Sequence, residues 1–134
     1  MAIYKSILGS YLEEQGISYT VLDDFTLKIL FGGKHLKNIP FTVSFSRDGE
    51  PLVQIKCREL FGFRNDPVLG AQVCNTLNRG YRWLKFYIEE SGDVIATTDA
   101  YIDENTCGHV CLCLMRRAVV ILDECYDLLN RAKQ

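Results

Sequence analysis

The amino-acid sequence predicts an α+β fold, one antiparallel β-sheet of about six strands packed against helices, in the order α-β-β-β-β-α-β-β-α. The spacing of apolar residues carries most of this reading. It runs in threes and fours at the start, in twos across the middle, and in threes and fours again at the end. Turn stretches such as "RDGE" and "SGD" divide the two-residue pattern into hairpins. The totals agree: 48% hydrophobic and 24% charged residues show none of the high charge and low hydropathy of a disordered chain. At 134 residues, a single domain over 1–134 is expected.

Ile3, Tyr4, Ile7, Leu8, Tyr11 and Leu12 fall on one side of a helix that Gly16 can end in a left-handed conformation. Ile17, Tyr19 and Val21 then alternate with polar residues, as do Phe25, Leu27, Ile29 and Phe31 after "DD", which predicts two paired strands. Phe41, Val43 and Phe45 continue the pattern, and Val53, Ile55 and Cys57 complete a four-stranded meander. Asp66 followed by Pro67 opens a second helix, whose buried stripe Leu69, Val73 and Leu77 ends at Gly80. "YRWLKFYIEE" and "VIATTDAYI" predict a further hairpin, with Leu84, Phe86 and Ile88 on one face and Tyr81, Trp83 and Tyr87 on the other. A long helix from about Thr106 to Ala132 closes the chain.

That last helix contains "TCGHVCLCLM", three cysteines and a histidine within seven residues. Helical spacing puts Cys107, Cys111, Leu114, Ala118, Ile121, Leu122, Cys125, Leu129 and Ala132 on one core-facing stripe. Cys113 lies about 200° from Cys111 and shares its side with His109, so the four groups do not converge as zinc ligands would. The six cysteines read as free thiols of a reducing compartment; Cys107, at the helix start and two residues from His109, is the one candidate for reactivity, and a core role is the better reading of it. A thiol-based redox or metal-responsive regulator using Cys107 to Cys113 is the alternative reading.

Little else carries chemistry. "FGGKH" lacks the spacing of a phosphate-binding loop, and His35 is expected to be solvated there. The adjacent carboxylates all fall at turns or element ends. No catalytic residue, metal ligand or cofactor site is predicted. Fifteen basic against seventeen acidic residues, with no clustered cations, point away from nucleic acid. The absence of an export signal or a membrane-length apolar run points to the cytoplasm.

Two features remain after the core is filled. On the last helix Val110, Cys113, Arg117 and Val120 form a second line beside a polar face of Arg116, Asp123, Asp127 and Asn130, and a helix apolar on two sides usually has two neighbours. Tyr81, Trp83 and Tyr87 stand against a sheet face otherwise made of Ser18, Thr20, Thr26, Lys28, Thr42, Ser44, Gln54 and Lys56, which suits water. The aromatics either pair across strands with Ile95 and Tyr101 to stabilise the hairpin, the role favoured slightly, or anchor a partner; with the line on the last helix, these seven residues are the candidate partner-binding or dimer surface. Strand addition at an open sheet edge is a further mode of binding that leaves little trace in sequence.

The segment "NTLNRGYRWLKFYIEESGDVIATTDAYID", followed by a long apolar helix, resembles the YbjN-like family of bacterial proteins, related in fold to type III secretion chaperones. The match rests on the helix end at Asn75 to Asn78, the Trp83 to Tyr87 strand, the "SGD" turn, the acidic residues Asp99 and Asp103, and "CGHV" at the start of the last helix. Over the first half it is one of element order alone. The resemblance implies a chaperone-like fold and a small cytosolic protein, often dimeric, that binds a protein or peptide and catalyses no reaction.

Overall fold

A computed structural model describes residues 3–58 and 61–132. Its elements follow the predicted order: α1 (Ile3–Glu14), β1 (Thr20–Asp23), β2 (Thr26–Phe31), β3 (Ile39–Phe45), β4 (Leu52–Cys57), α2 (Pro67–Gly80), β5 (Lys85–Ile88), β6 (Val94–Tyr101) and α3 (Cys107–Ala132). The six strands form one antiparallel sheet ordered β1-β2-β3-β4-β6-β5. After β4 the chain crosses through α2, forms β5 at the far edge, and returns as β6 between β5 and β4.

The two-residue alternation decides which face is dry. Leu27, Ile29, Phe41, Val43, Phe45, Val53, Ile55 and Cys57 are buried in one cluster with Leu8 and Leu12 of α1 and with the inner side of α3. The opposite face, which carries Lys28, Thr42, Gln54 and Lys56, faces away from this cluster. Gly16, Gly49 and Gly92 take positive φ where helix α1 ends and where the two hairpins turn, a conformation that side chains rarely adopt. Helix α2 starts as expected: Asp66 accepts the Leu69 N–H, and Pro67 stands in the first turn, where its missing N–H is no loss.

Three expectations fail locally. Strand β1 was expected to turn Val21 inward, but all four of its residues are exposed, Val21 at 53%. As an edge strand with an irregularity between Val21 and Asp23, it overhangs the core instead of covering it. The hairpin strand expected to begin near Tyr81 begins at Lys85, because residues 81–84 are a bend in which Trp83 takes φ +75°. On α3, Leu114 is only half-buried, while Leu112 and Met115 join the buried stripe. The Ala132 side chain and the Glu59 and Leu60 portion of the "ELFGFRN" loop lie outside the described residues.

Candidate partner-binding surface

Helix α3 begins on a tight turn in which Asp103 accepts the Asn105 and Thr106 N–H groups and the Thr106 hydroxyl. The Thr106 hydroxyl bond, then these N–H groups, hold the Asp103 carboxyl below its ordinary pKa. Gly108 then lets α1 approach, since a Cβ there would overlap the Tyr11 ring. Cys107 is fully buried, 3.8 Å from the Tyr4 carbonyl to which it donates, and is therefore a core thiol. Burial thus favours the core reading of Cys107 over the reactive one.

The remaining sulfurs sort by side. Cys57, Cys74, Cys111 and Cys125 are buried, and burial pushes Cys57 up to about 12 and Cys74 up to about 11. Cys113 is exposed, with its Sγ 3.5 Å from His109 Nε2 on the outer side of α3. Among the described residues no group of three or more His, Cys, Asp or Glu side chains is close enough to hold a metal ion.

The second line on α3 lies where helical spacing put it. Val110 is half-buried, whereas Cys113, Arg117 and Val120 are exposed, Val120 at 46%, and Leu128 extends the line further along the helix. Val110 packs partly on the core, while Cys113, Arg117 and Val120 are left uncovered. The opposite side of α3, from Cys107 to Leu129, is sealed in the core.

The three aromatics do not form one patch. Tyr81 caps α2, donating its N–H to the Leu77 carbonyl, and its ring packs on the core. Burial, with the neighbouring Cys125 and Glu124 of α3, raises its hydroxyl pKa. Tyr87 is half-buried on the sheet face away from the helices, opposite Ile95. Trp83 alone projects, 73% exposed at the crest of the bend. Asn78 holds the chain just beyond that bend: its Nδ2 donates to the Phe86 carbonyl at 2.9 Å, and its Oδ1 accepts the Phe86 N–H at 2.7 Å. This clamp is what positions Trp83.

A second anchor joins residues expected to be merely solvated. The Asp123 carboxylate of α3 accepts the backbone N–H groups of Lys34, of His35 at 3.1 Å and of Leu36 at 3.1 Å. The His35 ring lies flat on Tyr126, with centroids 5.6 Å apart. "FGGKH" is thus an anion nest filled by a carboxylate of the same chain. A side chain at position 33 would collide with that carboxylate, which accounts for Gly33. Burial acts to raise the Asp123 pKa, but the Leu36, Lys34 and His35 N–H groups outweigh it and lower it. The paired glycines of the loop are the local cue to such a nest, but nothing local reveals an acceptor some 88 residues away.

A sequence model of the YbjN family, described as "Putative bacterial sensory transduction regulator", matches residues 6–131. No curated protein sequence matches the chain. Among solved structures, YbjN from E. coli superposes with a TM-score of 0.65 at 10% identity, covering 92% of this chain and 91% of that one. The HopA1-SchA chaperone-effector complex gives 0.55 at 14% identity, over 85% and 88%. The heterodimeric ExoU-SpcU complex of the Pseudomonas aeruginosa type III secretion system gives 0.53 at 13% identity, over 93% and 96%. At these identities the likeness is one of fold, and the α+β arrangement described above is that of secretion-chaperone-like proteins.

Proposed function

The chain belongs to the YbjN family, and on that premise we propose that it is a non-enzymatic domain that binds a protein or peptide. In this reading it is chaperone- or regulator-like, works in the cytoplasm, and pairs as a homodimer. The observation that carries the reading is the exposed line of Cys113, Arg117 and Val120, beside half-buried Val110, on a helix whose other side is buried. Apolar surface left in water beside a core element is what an interface uses. Trp83, projecting from a bend held rigid by Asn78, has the residue type and exposure of a binding anchor. The fold supports the reading as well, because structures sharing it were determined as a chaperone-effector complex and as a heterodimer of a secretion system. No helix among the described residues is long and apolar enough to cross a membrane.

Light scattering on the intact protein tests the dimer. The expected mass is twice 15.3 kDa, falling to one chain when Val120→Asp and Arg117→Glu are combined. A photo-crosslinking side chain at position 83 should trap a polypeptide from the native cell, while the same group at exposed Lys37 should not. A monomeric wild type together with no crosslink at 83 would remove the proposal.

The thiol-based alternative keeps one specific support, the exposed Cys113 beside His109. Oxidant treatment that changes neither mass nor partner capture in the wild type relative to Cys113→Ser would set it aside.

A further inference from the structure

The register of the sheet assembles a feature that no stretch of sequence shows. Thr20 stands opposite Lys28, Lys28 opposite Thr42, Thr42 opposite Lys56, Lys56 opposite Thr97, and Thr97 opposite Lys85. One row crosses all six strands on the face away from the helices, with threonine and lysine in strict alternation. Lysines two strands apart are separated by roughly 9.5 Å.

The charges of this row are uncompensated. Cross-strand neighbours of a lysine are commonly acidic, yet here each is a threonine, and among the described residues none of the three lysines forms an ion pair. Asp99 is the carboxylate nearest along β6, two residues from Thr97 and opposite Gln54. Edge protection explains lysines at sheet margins, but Lys28 and Lys56 belong to interior strands.

A second observation is independent of charge. Thr97 is only 4% exposed, and its hydroxyl has no hydrogen-bond partner among the described residues. Buried hydroxyls are nearly always satisfied, and an orphan one wants an explanation. It stands between Lys56 and Lys85, on the face that bears the row. Shallow concavities open on both sides of the row, one of about 580 Å³ lined by Thr20, Lys28, Leu22 and Leu30, the other of about 410 Å³ lined by Ser44, Leu52, Gln54 and Asp99.

We propose that the Thr20–Lys28–Thr42–Lys56–Thr97–Lys85 row seats an acidic, extended segment of a partner polypeptide, laid across the strands with a carboxylate at each lysine. The spacing fits. A polyproline-II chain advances about 3.1 Å per residue and returns to the same side every third residue, so acidic side chains three apart recur at about 9.3 Å. Sheet twist of about 20–25° per strand winds the row, which a flexible chain can follow and a stiff duplex cannot. Three cations spread across a protein of net charge -2 are sparse for nucleic acid, and the residues between them are threonines, where single strands need aromatic platforms.

The inference rests on the polypeptide-binding reading above and is tested apart from it. Fluorescence anisotropy of the intact protein is measured with a labelled Glu-Pro-Ala repeat peptide, its Gln-for-Glu counterpart, an oligothymidylate of equal charge, and a panel of uncharged peptides. The acidic peptide should bind in a salt-sensitive way. Combined Lys28→Gln, Lys56→Gln and Lys85→Gln should weaken it at least tenfold, while Lys34→Gln, Lys37→Gln and Arg116→Gln, equal in charge lost, should change it less than twofold. The three Lys→Arg replacements should retain binding, which guards against misfolding of the Gln variant. Equal loss in both Gln variants, or oligothymidylate binding as tightly as the peptide, would overturn the assignment. If uncharged peptides bind and acidic ones do not, the acidic assignment falls and polypeptide binding stands; if no peptide binds, both fall.

Discussion

Replacing Asn78 by Ala removes both hydrogen bonds that hold Phe86 to helix α2. Phe86 is almost fully buried, and although Asn78 itself is exposed, the groups left behind are only partly reached by water. Two neutral hydrogen bonds contribute about 1 kcal/mol each, and stranding a poorly hydrated N–H and carbonyl brings the expected loss to about 3 kcal/mol. For a protein of this length each kcal/mol moves the unfolding midpoint by roughly 3–5 °C, so a drop of roughly 10 °C is expected. Thermal unfolding followed by circular dichroism measures it. Asn78→Asp adds a finer check, because a carboxylate still accepts the Phe86 N–H but repels the Phe86 carbonyl, and should cost about as much. A fall of less than 2 °C for Asn78→Ala would refute the view that this clamp fixes the bend carrying Trp83.

Gly108→Ala should destabilise by about 1–2 kcal/mol despite alanine's better helix propensity, because the new methyl meets Tyr11; a stabilised variant in chemical denaturation would contradict this. A native-state thiol titration should find one fast cysteine, Cys113, with Cys57, Cys74, Cys107, Cys111 and Cys125 reacting only on unfolding, and a fast second thiol would show the core more open than described. Asp123 has its folded pKa lowered, so its contribution is present above the ordinary 3.8 and lost as pH falls through the lowered value. Asp123→Asn should therefore cost about 1–2 kcal/mol at neutral pH and flatten the acid limb of the stability curve, which denaturant melts from pH 7 to pH 2 would reveal.

The parts of this molecule that follow from neighbours in sequence are legible in the sequence itself. The α1 stripe, the alternation in β2, β3 and β4, the Asp66 cap and the outward Cys113 with His109 all come from local periods of two or 3.6 residues. What stayed hidden depends on partners far along the chain. Asp123 looks like one more solvated acid until the "GGKH" loop folds beneath it. Tyr81 and Trp83 look like one aromatic face until a single left-handed residue separates them. Lys28, Lys56 and Lys85 look like scattered solubilising charges, and only five successive strand registers bring them into line. The order β4-β6-β5 is of the same kind, since local alternation does not say which strand of a hairpin lies inside.

The strand order also limits how far copies can associate through backbone contacts. At β5 the outward-facing groups of Phe86 are already occupied by Asn78, whereas β1 offers its four residues to solvent. A margin closed at Phe86 and open along β1 directs strand addition to the β1 side. Two copies meeting β1 to β1 would leave the β5 margins outside, each closed at Phe86, which disfavours growth beyond a pair.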